Sequence, residues 1–443
     1  MVWKNKMMYY NRHIDNELIK WMTSDKRKPI LLRGARQIGK SSAIRNLAKN
    51  FAFYMEINFE ENKAVRDVFE KSDLTPQLLC EKLSSIYEIP IVEGKTLLFF
   101  DEIQACIPAI SSLRFFYEKM PDLHLIAAGS LLEFALEEIP SFGVGRIRSL
   151  FMFPFSFAEF LEANGNKFLL EAIKTANFQH PLDNVLHEKT LYLLKLFMLI
   201  GGMPEVVATY AQKEDLLECQ SVLAELTETL KNDFAKYRKK MPALQISAAF
   251  DSVIRQIGNK FKYTNNHTEY SIYQMKQAVE LLIMAGLVIP VTHTSANGLP
   301  LGAEINPKFR KLILLDTGIF QRMLGLQLSD ILLNEDFDAI NKGGIAEMFV
   351  GLELLKANSC YEQRHLFYWQ REEKNARAEV DFVVQQDMDI VPIEVKSGKQ
   401  GKMQSMHLFM KEKNTKTGIR TSLENFSEYD RIKVIPLYAI GNR

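Results

Sequence analysis

The chain has 443 residues, enough for about three domains at roughly 150 residues each. Apolar residues make up 47% and charged residues 25%, which excludes a largely disordered chain. Lysine and arginine number 55 against 54 aspartates and glutamates, so the net charge of +1 argues neither for nor against a polyanionic partner.

Cys80, Cys106, Cys219 and Cys360 lie far apart and form no CxxC or Cys/His spacing. That excludes a zinc or disulfide framework visible in the sequence and fits a reducing, cytoplasmic setting. The N-terminus lacks the unbroken apolar core of a signal peptide. The greasiest stretches, LYLLKLFMLIGGM and LLIMAGLVIPV, fall short of the roughly 18 apolar residues a membrane span needs, so no membrane partner is expected.

Residues 1–28 read as an amphipathic lead-in helix with Ile14, Leu18, Ile19 and Met22 at helical spacing. From Pro29 to about Phe157 five continuous apolar runs (PILLRG, FAFYMEINF, TLLFFDE, LHLIAAGS, SLFMFPFSF) alternate with helical patterns beginning near Ser41, Pro76, Pro108 and Leu131. Continuous rather than alternating polarity predicts strands buried on both faces of a parallel sheet, in a doubly wound α/β layer. Residues 158–240 read as helical, broken at Gly201-Gly202-Met203-Pro204. A helix ending near Gly258 comes next, then a Ser271/Gln274 capping box opening a helix through Ala285, then two strands around a Ser-Ala-Asn-Gly-Leu-Pro turn. This order is winged-helix-like. A Leu/Asn/Asp-rich connector precedes a helix over about Gly344–Ala357, the strands HLFYWQ, AEVDFVVQQ and DIVPIEVKS, and a helix from about Met403.

Gly34-Ala35-Arg36-Gln37-Ile38-Gly39-Lys40-Ser41 fits G-x-x-x-x-G-K-[ST] at every position, between a predicted strand and a predicted helix. The glycines let backbone N–H groups turn inward around phosphates, and the helix N-terminus adds its dipole. Lys40 then reaches the β- and γ-phosphates, Ser41 ligates Mg2+, and Ser42 closes the set that cradles ATP. About 60 residues on, the strand TLLFFDE ends in Asp101, which would hold Mg2+, and Glu102, which would orient or deprotonate the attacking water. Ser130, after the fourth strand, reads equally as a γ-phosphate sensor or as a helix N-cap. Arg146 and Arg148, beside Gly143 and Gly145, read either as an arginine finger acting in cis or in trans, or as solvated loop residues. Arg36 and Asn58 are weaker candidates.

Near the C-terminus, Asp381 lies on one expected strand and Glu394 and Lys396 on the next. A hairpin would turn all three to one side. Asp381 and Glu394 would then hold a divalent metal with Glu347 adding a carboxylate, and Lys396 would assist a water attacking a phosphodiester. Three readings stand: active nuclease chemistry, a retained but inactive fold, or charges on a half-exposed hairpin. Residues 231–262 hold eight Lys/Arg (231, 236, 238, 239, 240, 255, 260, 262) against Asp233 and Asp251, and residues 396–420 hold seven against Glu412. Both patches support a nucleic-acid partner, DNA ahead of RNA.

GARQIGKS, LLFFDEIQ, the AAGS strand end and GRIRSLFMFPFSFAEFL resemble the AAA-superfamily ATPases of prokaryotes. The IGGMPEVV break and the AEVDFVV…IEVKSG ending resemble the uncharacterised domain that follows such ATPases, which is similar to the restriction-endonuclease-like PD-(D/E)xK fold. One departure is the helix after the hairpin, which reads Gln404-Ser-Met-His-Leu408 in place of Gln-x-x-x-Tyr. The resemblance implies ATP hydrolysis by Lys40, Ser41, Asp101 and Glu102, and nuclease-like positions at Glu347, Asp381, Glu394 and Lys396. The expected architecture is an N-terminal helix (1–28), a P-loop NTPase domain of AAA type with a five-stranded parallel sheet (29–160), a helical lid-like region (161–240), a winged-helix-like domain (241–330) and a small restriction-endonuclease-like α/β domain (331–443). The expected function is an ATP-driven switch controlling nucleic-acid engagement, with or without cleavage. A homo-oligomer, or a protein partner in place of nucleic acid, remains open.

Overall fold

The computed structural model describes residues 8–70, 75–137, 139, 145–235, 241–265, 269–328, 343–357, 359–363, 365–372, 378–398 and 403–442. It divides into two compact units, residues 1–154 with 359–363, and residues 155–358 with 364–443.

In the first unit, helix α1 (His13–Met22) leads into strand β1 (Ile30–Arg33) and helix α2 (Lys40–Ala48). Strands β2 (Phe53–Asn58), β3 (Thr96–Asp101), β4 (His124–Ala128) and β5 (Arg148–Phe151) complete one sheet in the order β2-β3-β4-β1-β5. Every pairing is parallel, as the continuous apolar runs required. All six residues of β3 and all five of β4 are buried, so helices cover both faces. These helices are α3 (Lys63–Glu70), α4 (Pro76–Tyr87), α5 (Ile107–Lys119) and α6 (Leu132–Glu137). The core on one face is aromatic: Phe100 meets Phe59, Phe69 and Phe116 edge to face. Each such buried ring contributes roughly 1.5–3 kcal/mol by burial. In α1 the buried residues are Ile14, Leu18 and Trp21, whereas Ile19 is exposed, so Trp21 takes the place in the stripe that Ile19 was expected to fill.

The second unit begins with the helices α7 (Phe157–Ala163), α8 (Lys167–Thr175), α9 (Asn184–Ile200), α10 (Pro204–Lys213) and α11 (Leu216–Asp233). The expected break between α9 and α10 has a tertiary cause. Asp316 accepts hydrogen bonds from Gly202 N (2.6 Å) and Ile319 N (3.0 Å), and a Cβ at Gly202 would stand 2.3 Å from the Phe155 carbonyl oxygen. Only glycine lets the backbone approach this closely.

Helices α12 (Ala243–Gln256) and α13 (Ile272–Met284) follow, the latter opened by the expected Ser271/Gln274 capping box. Strands β6 (Val288–Thr294) and β7 (Ile305–Leu314) form the expected hairpin. Helices α14 (Thr317–Met323) and α15 (Gly344–Lys356) lead to strands β8 (Leu366–Gln370), β9 (Glu379–Gln386) and β10 (Asp389–Val395). After helix α16 (Gln404–Glu412) come β11 (Gly418–Ser422), β12 (Ser427–Tyr429) and β13 (Ile432–Pro436), three short strands that the sequence reading does not reach. All eight strands form one mixed sheet, β12-β13-β11-β10-β9-β8-β6-β7. The hairpin expected as a wing is therefore stitched by a parallel β6–β8 pairing into the same sheet as the nuclease-like strands. Among the described residues no helix is long and apolar enough to cross a membrane.

Candidate functional site

Residues 34–39 form the turn between β1 and α2, at the C-terminal edge of the parallel sheet, and Lys40 and Ser41 begin α2. The turn is tight because Gly34, Gln37 and Gly39 all have positive φ. A Cβ at Gly34 would lie 2.3 Å from the Met152 carbonyl oxygen, so the first glycine is sterically required. The Lys40 ammonium donates to the carbonyls of Gly34 (2.9 Å) and Ala35 (2.6 Å), which holds it within the loop. Burial pushes Lys40 down to about 8, opposed by the charges of Glu102 and Asp101. Ala35 and Ile38 are buried and anchor the loop, whereas Gln37 and Ser42 are exposed.

The Ser41 hydroxyl donates to Asp101 Oδ2 at 2.9 Å, the place where a hydroxyl and a carboxylate fit a hard divalent cation. Asp101 is buried, and burial raises its pKa while the Ser41 hydrogen bond pulls it down. Next to it Glu102 has left-handed backbone (φ 48°). Glu102 Oε2 accepts from Gln104 Nε2 (2.6 Å) and Ser130 Oγ (3.2 Å). Ser130 thus touches the carboxylate proposed to handle the water. Asn58 turns its Oδ1 to the amides of Glu60 and Glu61, which closes its own turn.

Arg146 and Arg148 are placed elsewhere. Arg148 pairs in register with Ile30, the first residue of β1, and its guanidinium lies 5.6 Å from the Tyr361 ring centroid. That is about 10 Å along the strand from the end that feeds the P-loop, at 3.3 Å per residue. Arg146 is ion-paired to Glu118 on α5. The structure brings neither to its own P-loop; Gly143 lies outside the described residues.

Two further residues shape the site without a sequence signal. Arg12 sends one guanidinium nitrogen to the Ile38 carbonyl (3.2 Å) and another to the Phe153 carbonyl (2.6 Å), bracing the loop from α1's N-cap. Arg33, the last residue of β1, forms a two-pronged pair with Glu133 of α6 (Nε 2.8 Å). Both pairings join positions about a hundred or more residues apart or cross elements, so no local spacing announces them.

In the second unit, antiparallel β9 and β10 pair Phe382 with Ile393, which sets Asp381 beside Glu394. Asp381 Oδ2 accepts from Val395 N (2.8 Å), and Glu394 Oε1 accepts from the Lys396 ammonium (2.7 Å). These contacts join Glu394 to Lys396 and put Asp381 opposite Glu394 on the β9–β10 pair. A residue missed in the sequence changes the character of this group. Lys311 of β7, 2% exposed, directs its ammonium to Glu347 (2.8 Å), Glu379 (2.5 Å) and Asp381 (3.6 Å). These carboxylates outweigh the effect of burial and raise the Lys311 pKa, while burial raises those of Glu347 and Glu394. Among the described residues no group of three or more His, Cys, Asp or Glu is arranged to hold a metal ion. Lys311 stands where the expected metal set of Glu347 and Asp381 converges.

Of the basic patches, residues 236, 238, 239, 240, 399 and 402 lie outside the described residues. The remainder includes a basic and aromatic surface beside the hairpin: Lys262, Lys308 and Phe309 are exposed, Lys260 lies 5.8 Å from the Phe309 ring centroid, and Phe261 N donates to the Arg310 carbonyl.

Residues 26–161 match an AAA domain, and residues 192–330 and 342–440 match two domains of unknown function (DUF8612 and DUF4143). None of the curated proteins matches the chain. Among solved structures, the chain is similar to the Orc1 protein of Aeropyrum pernix in complex with DNA (12% identity, 74% of this chain and 96% of that one, TM-score 0.30). It is also similar to PCH-2 of C. elegans (14%, 54% and 65%, TM-score 0.26) and to Drosophila ORC bound to DNA (13%, 72% and 88%, TM-score 0.25). The first unit carries an AAA-type P-loop domain with an all-parallel five-stranded sheet, followed by a helical region and an α/β region with a mixed sheet.

Proposed function

We propose that the chain is a Mg2+-dependent ATPase whose nucleotide state switches the engagement of nucleic acid by its C-terminal half. The observation that carries the first part is the Ser41–Asp101 hydrogen bond in front of the Lys40 loop. When bound, Mg2+ supplies positive charge against the phosphate oxygens, and Ser41 and Asp101 are the residues that would hold it. Main-chain N–H groups of residues 34–42, together with Arg36 and Lys40, bind and orient the triphosphate. Glu102, fixed by Gln104 and Ser130, orients the attacking water and takes its proton. Arg146 and Arg148 would serve only the nucleotide of a neighbouring copy. The test is equilibrium binding of ATP with Mg2+ to wild type and Lys40→Ala: binding by wild type and its loss in the variant supports the reading, and equal binding by both refutes it.

Lys262, Lys308, Lys260 and the exposed Phe309 support nucleic-acid engagement at the β6–β7 hairpin, since lysines follow the phosphates and an aromatic face stacks a base. Lys311 within the carboxylate cluster favours a C-terminal domain that does not cleave. Salt-dependent DNA binding that weakens in a Lys308→Ala/Phe309→Ala variant is the expected result; no binding at low salt would leave a protein partner in its place.

A further inference from the structure

The carboxylates around Lys311 come from two elements, Glu347 from α15 and Glu379 and Asp381 from β9, with Glu394 of β10 beside Asp381 on the paired strand. Glu347 and Glu394 are each more than nine-tenths buried. Glu379 and Asp381 are only partly buried, but gathering acids around the buried Glu347 is costly unless a cation stands among them. Lys311 is that cation. An ammonium has three donors, and here three carboxylates surround it. Its nitrogen also lies 5.4 Å from the ring centroid of the buried Tyr368.

Glu394, opposite Asp381 on the paired strand, borders this cluster. Glu394 gives one oxygen to Lys396, but its other oxygen, Oε2, is buried and has no hydrogen-bond partner among the described residues. Four carboxylates face two ammonium groups, leaving acceptor capacity beyond what the lysines use. Oxygen-only donors of this kind suit a hard divalent cation.

We infer that Lys311 is a built-in plug: its ammonium occupies the position of a divalent cation among Glu347, Glu379 and Asp381, and closes that site in the wild-type chain. The plug is delivered by β7, a strand of the hairpin, and not by the nuclease-like strands themselves. The inference is independent of the nucleotide reading, because none of these residues belongs to the first unit.

The experiment measures Mn2+ binding to the full-length, nucleotide-free chain in an Asp101→Asn background, which keeps the P-loop site from contributing. The parent should bind no Mn2+ at this cluster. Lys311→Met should gain one Mn2+ per chain, with a Kd on the order of 100 μM, and adding Asp381→Asn should abolish it. Because Lys311→Met leaves buried carboxylates unpaired, the charge-balanced Lys311→Met/Glu379→Gln variant carries the same test should the single variant fail to fold. Mn2+ should also raise the thermal midpoint of the Lys311 variants and not that of the parent. No gain of Mn2+ in a folded Lys311 variant overturns the inference, as does Mn2+ bound by the parent and lost on Asp381→Asn.

Discussion

Ser41 and Asp101, 60 positions apart in sequence, are joined by a 2.9 Å hydrogen bond from hydroxyl to carboxylate. The first opens α2 and the second ends β3, so the bond ties the phosphate loop to the neighbouring strand end. Ser41, through a hydroxyl lone pair, and Asp101 would hold a divalent cation with both oxygens in place, the hydroxyl proton turning away from the carboxylate. Asp101→Asn should therefore remove the Mg2+-dependent part of ATP affinity, by about tenfold or more, as expected for loss of a charged ligand worth roughly 1.5–3 kcal/mol. Titrating ATP with and without Mg2+ checks this; an unchanged Mg2+ effect in the variant would place the cation elsewhere.

The buried ammonium of Lys40 makes nucleotide binding proton-linked. Its pKa is lowered to about 8 in the folded protein against 10.5 for an ordinary lysine. Between those values the unfolded chain holds more protons than the folded one, so this group's contribution makes the nucleotide-free protein more stable as pH rises across that window. Phosphates restore the charged form, so ATP binding should take up roughly half a proton at pH 8, and affinity should fall as pH rises further. Calorimetry in buffers of different ionisation enthalpy measures the uptake, which Lys40→Ala should lack.

Gln104 and Ser130 both hold the Glu102 carboxylate, and neither is assigned a part in binding phosphate by this contact. Gln104→Ala and Ser130→Ala should each lower kcat about two- to tenfold with little change in KM, the scale of one lost hydrogen bond of roughly 0.5–1.5 kcal/mol. A change confined to KM would assign the residues to substrate binding instead.

How much of this could be read from the chain follows from how local each device is. A phosphate loop needs consecutive residues in one turn, so GARQIGKS announces itself, and β3 announces its carboxylates because a strand buried on both faces must be apolar until its end. The Ser271/Gln274 box and the Gly201-Gly202 break are equally local, although the partner that makes the break necessary, Asp316, lies 114 positions away. Arg12, Arg33 and Lys311 act through tertiary contacts and carry no period or spacing. Lys311 in particular opens the run KLILLD and looks like a charge at a strand start, whereas its strand buries it among acids supplied by two other elements. The arginines before β5 show the converse: their type and glycine context suggest a finger, but register fixes Arg148 beside Ile30, at the wrong end of the strand for its own nucleotide.

Asp316 should be structurally decisive. It satisfies the amides of Gly202 and Ile319 inside the second unit. Asp316→Ala would leave both donors buried without that acceptor, at about 1–3 kcal/mol each. A lowered unfolding midpoint with ATP affinity unchanged is the expected outcome. Loss of ATP affinity in a folded variant would show that this junction reports to the nucleotide site.

The most direct test of the central claim is single-variant kinetics at Glu102. Wild type should hydrolyse ATP in the presence of Mg2+, and Glu102→Gln should bind ATP as tightly while its turnover falls by about two orders of magnitude or more, the scale of a lost general base. Equal turnover by the two proteins, or no turnover by either, would contradict the account.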